Sequence, residues 1–107
     1  MNKITATLAH PPAAIQCTGG AWVMQIELRQ AKSTIPIVGN LQFGHGQTAR
    51  QQAETRAAQL TAGDQITVEC SNVRLGYTAD DRIAVEAHGI HALHHISSSS
   101  NSSKAPA

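Results

Sequence analysis

The sequence predicts an all-β fold: a five-stranded barrel with one short helix between the third and fourth strands. Three observations predict it. Five apolar runs alternate with a period of two, the pattern of strands that bury one face. One Ala/Gln-rich stretch, Thr48 to Leu60, exchanges that period for a helical one. Segments containing Gly and Pro separate the runs.

The first run sets Ile4, Ala6 and Leu8 against Thr5 and Thr7. It stops at Pro11 and Pro12, neither of which can donate to a ladder. A loop carrying Thr18, Gly19 and Gly20 leads to the second run. There Trp22, Met24, Ile26 and Leu28 occupy one face, while Val23, Gln25, Glu27 and Arg29 occupy the other, so the phase places Trp22 with the core. Ala31 to Thr34 suits a hairpin connection into the third run, Ile35 to Phe43. Pro36 marks a strand start or an edge there, and Gly39 a bulge.

Thr48 with Gln51 three residues later matches a capping box and starts the helix. Ala49, Ala53, Ala57 and Leu60 make its apolar side, shallow enough to lie close to a sheet or a barrel end, and Gly63 is its stop. Ile66, Val68 and Cys70 alternate as the fourth strand. The phase then slips near Ser71 to Val73, which predicts a bulge after which Val73 and Leu75 take the inner face. Beyond a turn across Gly76 to Asp81, Ile83, Val85 and Ala87 begin the fifth strand, which runs less regularly through Ile90 and Leu93 to Ile96. The expected domain is residues 1–96. Residues 97–107, made of Ser, Asn, Lys, Ala and Pro, are expected to form a disordered tail.

A chain of 107 residues has room for one modest core, burying roughly 60 to 65% of its unfolded surface. Its only rings are Trp22, Phe43 and Tyr77. The core must therefore rest on Ile, Val, Leu and Ala, and association into a homodimer or homotetramer would help stabilise it. Of the eight Lys and Arg residues only Lys104 lies beyond Ile96, so within the domain cations balance the seven Asp and Glu. Such a domain lacks the broad basic field of a general polyanion binder. Cys17 and Cys70 show no CxxC spacing and follow no signal peptide, which makes the reduced cytoplasm the expected setting and buried or idle thiols the expected role. No apolar run approaches the roughly 18 residues that a membrane span needs.

The segment ATLAHPPAAIQCTGGAWVMQIEL, Ala6 through Leu28, resembles the first strand, Gly-Gly loop and second strand of bacterial single-stranded DNA-binding proteins and of their relative, the primosomal replication protein N. LTAGDQITVECSNVRLGY, Leu60 to Tyr77, is similar to that family's helix end, turn and fourth strand. In element order the resemblance covers residues 2–96. It implies an oligonucleotide-binding (OB) fold, the barrel that this order of strands and helix usually builds. It further implies a homo-oligomer that coats single-stranded DNA without catalysis, in replication, recombination or mobile-element maintenance, with replication proteins as partners. The chain departs from the family at two points. Outer positions where tetrameric members stack bases on rings are mostly polar here, and the chain ends in Lys104-Ala-Pro-Ala107 instead of an acidic, Phe-terminated tip.

Single-strand binding needs a cationic groove for phosphates and flat groups for bases. Lys32 in the connection after the second run, Arg29 at that run's end, Arg74 on the fourth strand and Arg82 after the last turn are the candidate phosphate contacts. Tyr77 at the tip of the last hairpin is the candidate for stacking, with Trp22 the weaker one. Each also reads as an ordinary solvated charge or a packed ring. His88, His91, His94 and His95 lie close in sequence, but strict alternation puts His88 and His94 on one face and His91 and His95 on the other, against convergence on a metal. Asp80 and Asp81 are neighbours on a turn, and no phosphate loop, Gly-x-Ser-x-Gly elbow or spaced Cys/His pair is present, so neither an enzyme nor a cofactor is expected. The alternatives are an OB-type protein–protein adaptor without nucleic-acid binding and a His-rich metal-binding module.

Overall fold

The computed structural model of the protein describes residues 2–78 and 80–96. The tail expected over residues 97–107 lies outside the described residues. In chain order the elements are β1 (Asn2–Leu8), β2 (Ala13–Gln16), β3 (Trp22–Arg29), β4 (Ile37–Gly44), α1 (Gly46–Ala58), β5 (Gln65–Tyr77) and β6 (Ile83–Ile96). No helix is long and apolar enough to cross a membrane among these residues.

Five strands close into a ring. β1 pairs with β5 from Asn2↔Cys70 to Thr7↔Gln65, then uses its last residues, Thr7 and Leu8, to pair with Arg29 and Leu28 of β3. β3 continues antiparallel to β4, β4 runs parallel to β6 from Ile37↔Val85 to Leu41↔Ile90, and β6 returns antiparallel to β5. This is the five-stranded OB barrel, with α1 between the third and fourth ring strands. Inside it Leu8, Met24, Leu28, Ile66, Val68 and Cys70 are the most completely buried side chains of the core. Phe43 packs against that core from its edge.

β2, Ala13–Gln16, is a strand beyond the five that the alternation predicts. It pairs with Trp22 to Gln25 of β3. A tight turn brings it there: Cys17 N–H donates to the Ala21 carbonyl and Gly20 N–H to that of Cys17, both at 2.8 Å. Gly20, at φ +93°, supplies the left-handed backbone. Four residues reading Ala-Ala-Ile-Gln are too short and too weakly alternating to announce a strand.

α1 begins two residues before Thr48. Gly44 and Gly46, at φ +98° and +92°, swing the chain out of β4, so Thr48 lies inside the helix and no side chain caps it. The capping box does not form. The helix ends at Ala58, ahead of Gly63, whose N–H donates instead to the Leu8 carbonyl at 2.8 Å. Ala49 and Ala53 are buried as the stripe requires, and Ala57 and Leu60 reach the core. Arg56 Nη2 donates to the Leu93 carbonyl at 2.6 Å and ties the helix to β6.

The irregularity expected at Gly39 falls in the pairing of Gly39 to Leu41 with β6, the slip expected near Ser71 to Val73 falls just before it, at Glu69 to Cys70, and a third shift sets Phe43 of β4 as an extra residue against Trp22 and Val23. Gly39 to Leu41 faces Ala87 to Ile90, and Glu69 to Cys70 faces Ala92 to Ile90, so β6 carries an extra residue against each neighbour. Gly89, at φ +66°, absorbs part of this. Gly39 has a different duty: a Cβ there would meet Ile90 Cδ1 at 2.7 Å and the Ala87 carbonyl at 3.0 Å. Register does place Val73 opposite Ala87 and Leu75 opposite Val85, residues that belong to or pack on the core. Burial does not follow, since Leu75 is 77% exposed. From Ser71 onward β5 has run past β1, and its hairpin with β6 projects beyond the ring.

Candidate nucleic-acid interface

A groove of about 540 Å³ crosses the outer faces of β3, β4 and β6. Alternation builds its floor. With Met24, Ile26 and Leu28 buried, Gln25 and Glu27 of β3 point outward. Val38, Asn40 and Gln42 of β4 continue the floor, and Glu86 and His88 of β6 complete it. One wall is His10 to Ala13, the segment that leads into β2. The other is Tyr77 and Thr78, where β5 ends.

The floor is polar but not cationic. Among the described residues that line the groove there is no Lys or Arg, contrary to the expectation of a positive face. It holds two carboxylates, each tied on one oxygen. Glu27 Oε2 lies 3.3 Å from Arg29 Nη2 and 3.5 Å from His10 Nε2. Glu86 Oε1 lies 2.8 Å from His88 Nε2. The Glu86 side chain passes over Gly76, where a Cβ would overlap its carboxylate, so the bare glycine seats the acid.

The six sequence candidates are spread unequally around this groove. Tyr77 lines it and is 66% exposed. Arg29 reaches its edge through Glu27, and Arg74 stands opposite Glu86 in the β5–β6 ladder. Arg82 follows the turn after Tyr77 and is held by Asp80, Nε to Oδ2 at 3.0 Å. Lys32, exposed in the β3–β4 connection, and Trp22 do not line the groove. Trp22 is half-buried at the start of β3, beside a register shift that sets Phe43 of β4 as an extra residue in the β3–β4 pairing, and Arg50 lies over its ring, 5.3 Å from the centroid. One ring face is therefore already covered.

The turn beside Tyr77 is organised by Thr78. Its hydroxyl donates to Asp80 and accepts from the Arg82 N–H at 3.1 Å, and its N–H donates to the Arg82 carbonyl at 2.7 Å. The hydroxyl of Thr78, then Arg82, hold the Asp80 carboxyl below its ordinary range. Gln25, Asn40, Gln42, His10 and Glu86 were not singled out from sequence. Gln25 and Glu86 carried a signal, as outward positions of runs whose inward positions were legible, whereas the third run has no clean alternation to mark Asn40 and Gln42.

The late histidines engage separate acids: His94 lies 2.9 Å from Glu69 and His95 3.3 Å from Asp64. The extra residues in β6 break the strict alternation on which the expected faces rested. No group of three His, Cys, Asp or Glu that could hold a metal is found among the described residues. Cys70 is buried in the core and Cys17 is exposed.

No protein-family model matches the chain, and no curated protein matches it. Among solved structures it is similar to one described as the Plasmodium falciparum SSB complex with ssDNA. The two are 17% identical with a TM-score of 0.48, over 90% of this chain and 95% of that one.

Proposed function

We propose that this chain is a non-catalytic single-stranded DNA-binding protein of the bacterial SSB and primosomal replication protein N type. It acts as a cytoplasmic homodimer or homotetramer in replication, recombination or mobile-element maintenance. One observation carries the reading: the groove occupies the face and the two flanking loops with which OB folds take oligonucleotides, and an exposed ring, Tyr77, stands in its wall. Because the floor lacks cations, phosphates run along the rims, past Arg29 and Lys32 on one side and Arg74 and Arg82 on the other. Bases enter the groove, and Tyr77 stacks on one of them. Trp22 is the lesser stacking surface.

Fluorescence anisotropy with a labelled single-stranded oligonucleotide tests this at low and moderate salt. Binding weakens as salt rises because phosphate contacts release counterions. Tyr77→Ala lowers affinity by about 1 to 3 kcal/mol, or roughly 5- to 150-fold. Arg74→Ala flattens the salt slope by about one unit. Absence of binding at low salt overturns the reading, and binding indifferent to both substitutions overturns the site.

A second reading has its own observation. Leu75, Tyr77 and Ile83 expose an apolar face on the projecting hairpin, as a protein adaptor would. An oligonucleotide that binds tightly and is lost in Tyr77→Ala decides against it.

A further inference from the structure

The groove's chemistry points beyond single-strand binding to a choice among bases. An ionised carboxylate can only accept hydrogen bonds, whereas a carboxamide both donates and accepts. Glu27 and Glu86 each leave one oxygen without a hydrogen-bond or ion-pair partner among the described residues. Both are partly exposed to the groove, at 21% and 35%. Register sets Val38 between the two carboxylates, and Gln25, Asn40 and Gln42 continue the groove to one side of that row, all exposed and free to turn either end of their amides to a ligand.

We infer that this groove prefers bases bearing an exocyclic amine, cytosine and adenine among them, over thymine, the one DNA base without such a group. The inference rests on the proposed single-strand binding and deepens it. Cytosine N4 and adenine N6 each present two N–H donors, which a carboxylate accepts. Thymine presents carbonyl oxygens at its 2 and 4 positions and a single ring N–H, so set against Glu27 or Glu86 it brings acceptor to acceptor. The amides serve either kind of base, so the carboxylates set the discrimination. They also repel phosphate, which keeps the backbone on the rims and turns the base edges inward.

Three labelled homo-oligonucleotides of equal length, of deoxycytidine, deoxyadenosine and thymidine, are bound to the full chain at low salt. Variants Glu27→Gln, Glu86→Gln and their combination are measured beside it. The parent is expected to bind the cytosine and adenine strands at least about fivefold more tightly than thymine, the low end of one base contact's discrimination. The double variant binds thymine more tightly than the parent does, because the new amides can donate to its oxygens, and the preference falls to within about twofold. Gly76→Ala, which displaces the Glu86 side chain while leaving its charge, shrinks the preference partway.

Circular dichroism of each variant confirms an intact β-barrel before its affinities are compared. Equal affinity of the parent for all three strands, or a preference unchanged in the folded double variant, overturns the inference and leaves the single-strand reading standing. No binding of any strand overturns that reading itself.

Discussion

At Gly39 one hydrogen atom is the largest group that fits. A methyl group there presses on Ile90 Cδ1, which can turn aside, and on the Ala87 carbonyl, which cannot without disturbing the β4–β6 pairing. Gly39→Ala is therefore expected to cost about 1 to 3 kcal/mol in urea unfolding, while Gly19→Ala, which meets open space, stays within about 0.5 kcal/mol of the parent. Asp64 makes a different kind of contribution. The Thr61 N–H donates to its carboxylate at 2.9 Å and the Thr61 hydroxyl at 3.1 Å, with His95 nearby, and together they hold its pKa below the ordinary value. A carboxyl with a lowered folded pKa adds stability above its unfolded pKa and loses it as pH falls through the folded one. Asp64→Asn should thus unfold at lower urea than the parent at about pH 7, with the two midpoints drawing together only as the pH falls below the ordinary carboxylate range and through the lowered folded pKa.

At the scale of elements, the ring strands and the helix were legible because burial on one side imposes a period, and Met24, Ile26, Leu28, Ile66, Val68 and Cys70 kept it. What escaped was set by neighbours distant in sequence. β2 exists because β3 offers it an edge, and the bulges on β6 exist because that strand must satisfy β4 and β5 together. The exposure of Leu75 followed from β5 continuing past Cys70, the last residue it pairs with β1, which its own alternation could not report. The groove was half legible: Tyr77 and Arg74 were picked out by residue type, while the amides and carboxylates of the floor were passed over because none forms a motif. The contrast between buried and projecting halves of β5 is measurable. Ile66→Ala should cost about 2 to 5 kcal/mol in the same unfolding assay, and Leu75→Ser should leave the midpoint within about 0.5 kcal/mol of the parent.

For the whole molecule, a near-neutral charge means that no long-range field gathers a polyanion, so the proposed binding depends on contacts at the rims and fades early as salt is added. The closed ring also has a temporal side. Thr5 meets Thr67 across 62 positions of chain, hydroxyl to hydroxyl at 2.8 Å, and the strand that bridges them to β4 comes later still. A nascent chain emerging from the ribosome therefore carries Asn2–Ala6 without their β5 partners until most of the strands have been made, although Thr7 and Leu8 can meet β3 early. Refolding should be correspondingly slow, on the order of milliseconds to seconds in stopped-flow measurements. Deleting Asn2–Leu8 would leave β5 without its neighbour over Gln65 to Cys70, and that bare margin would recruit other molecules into aggregates.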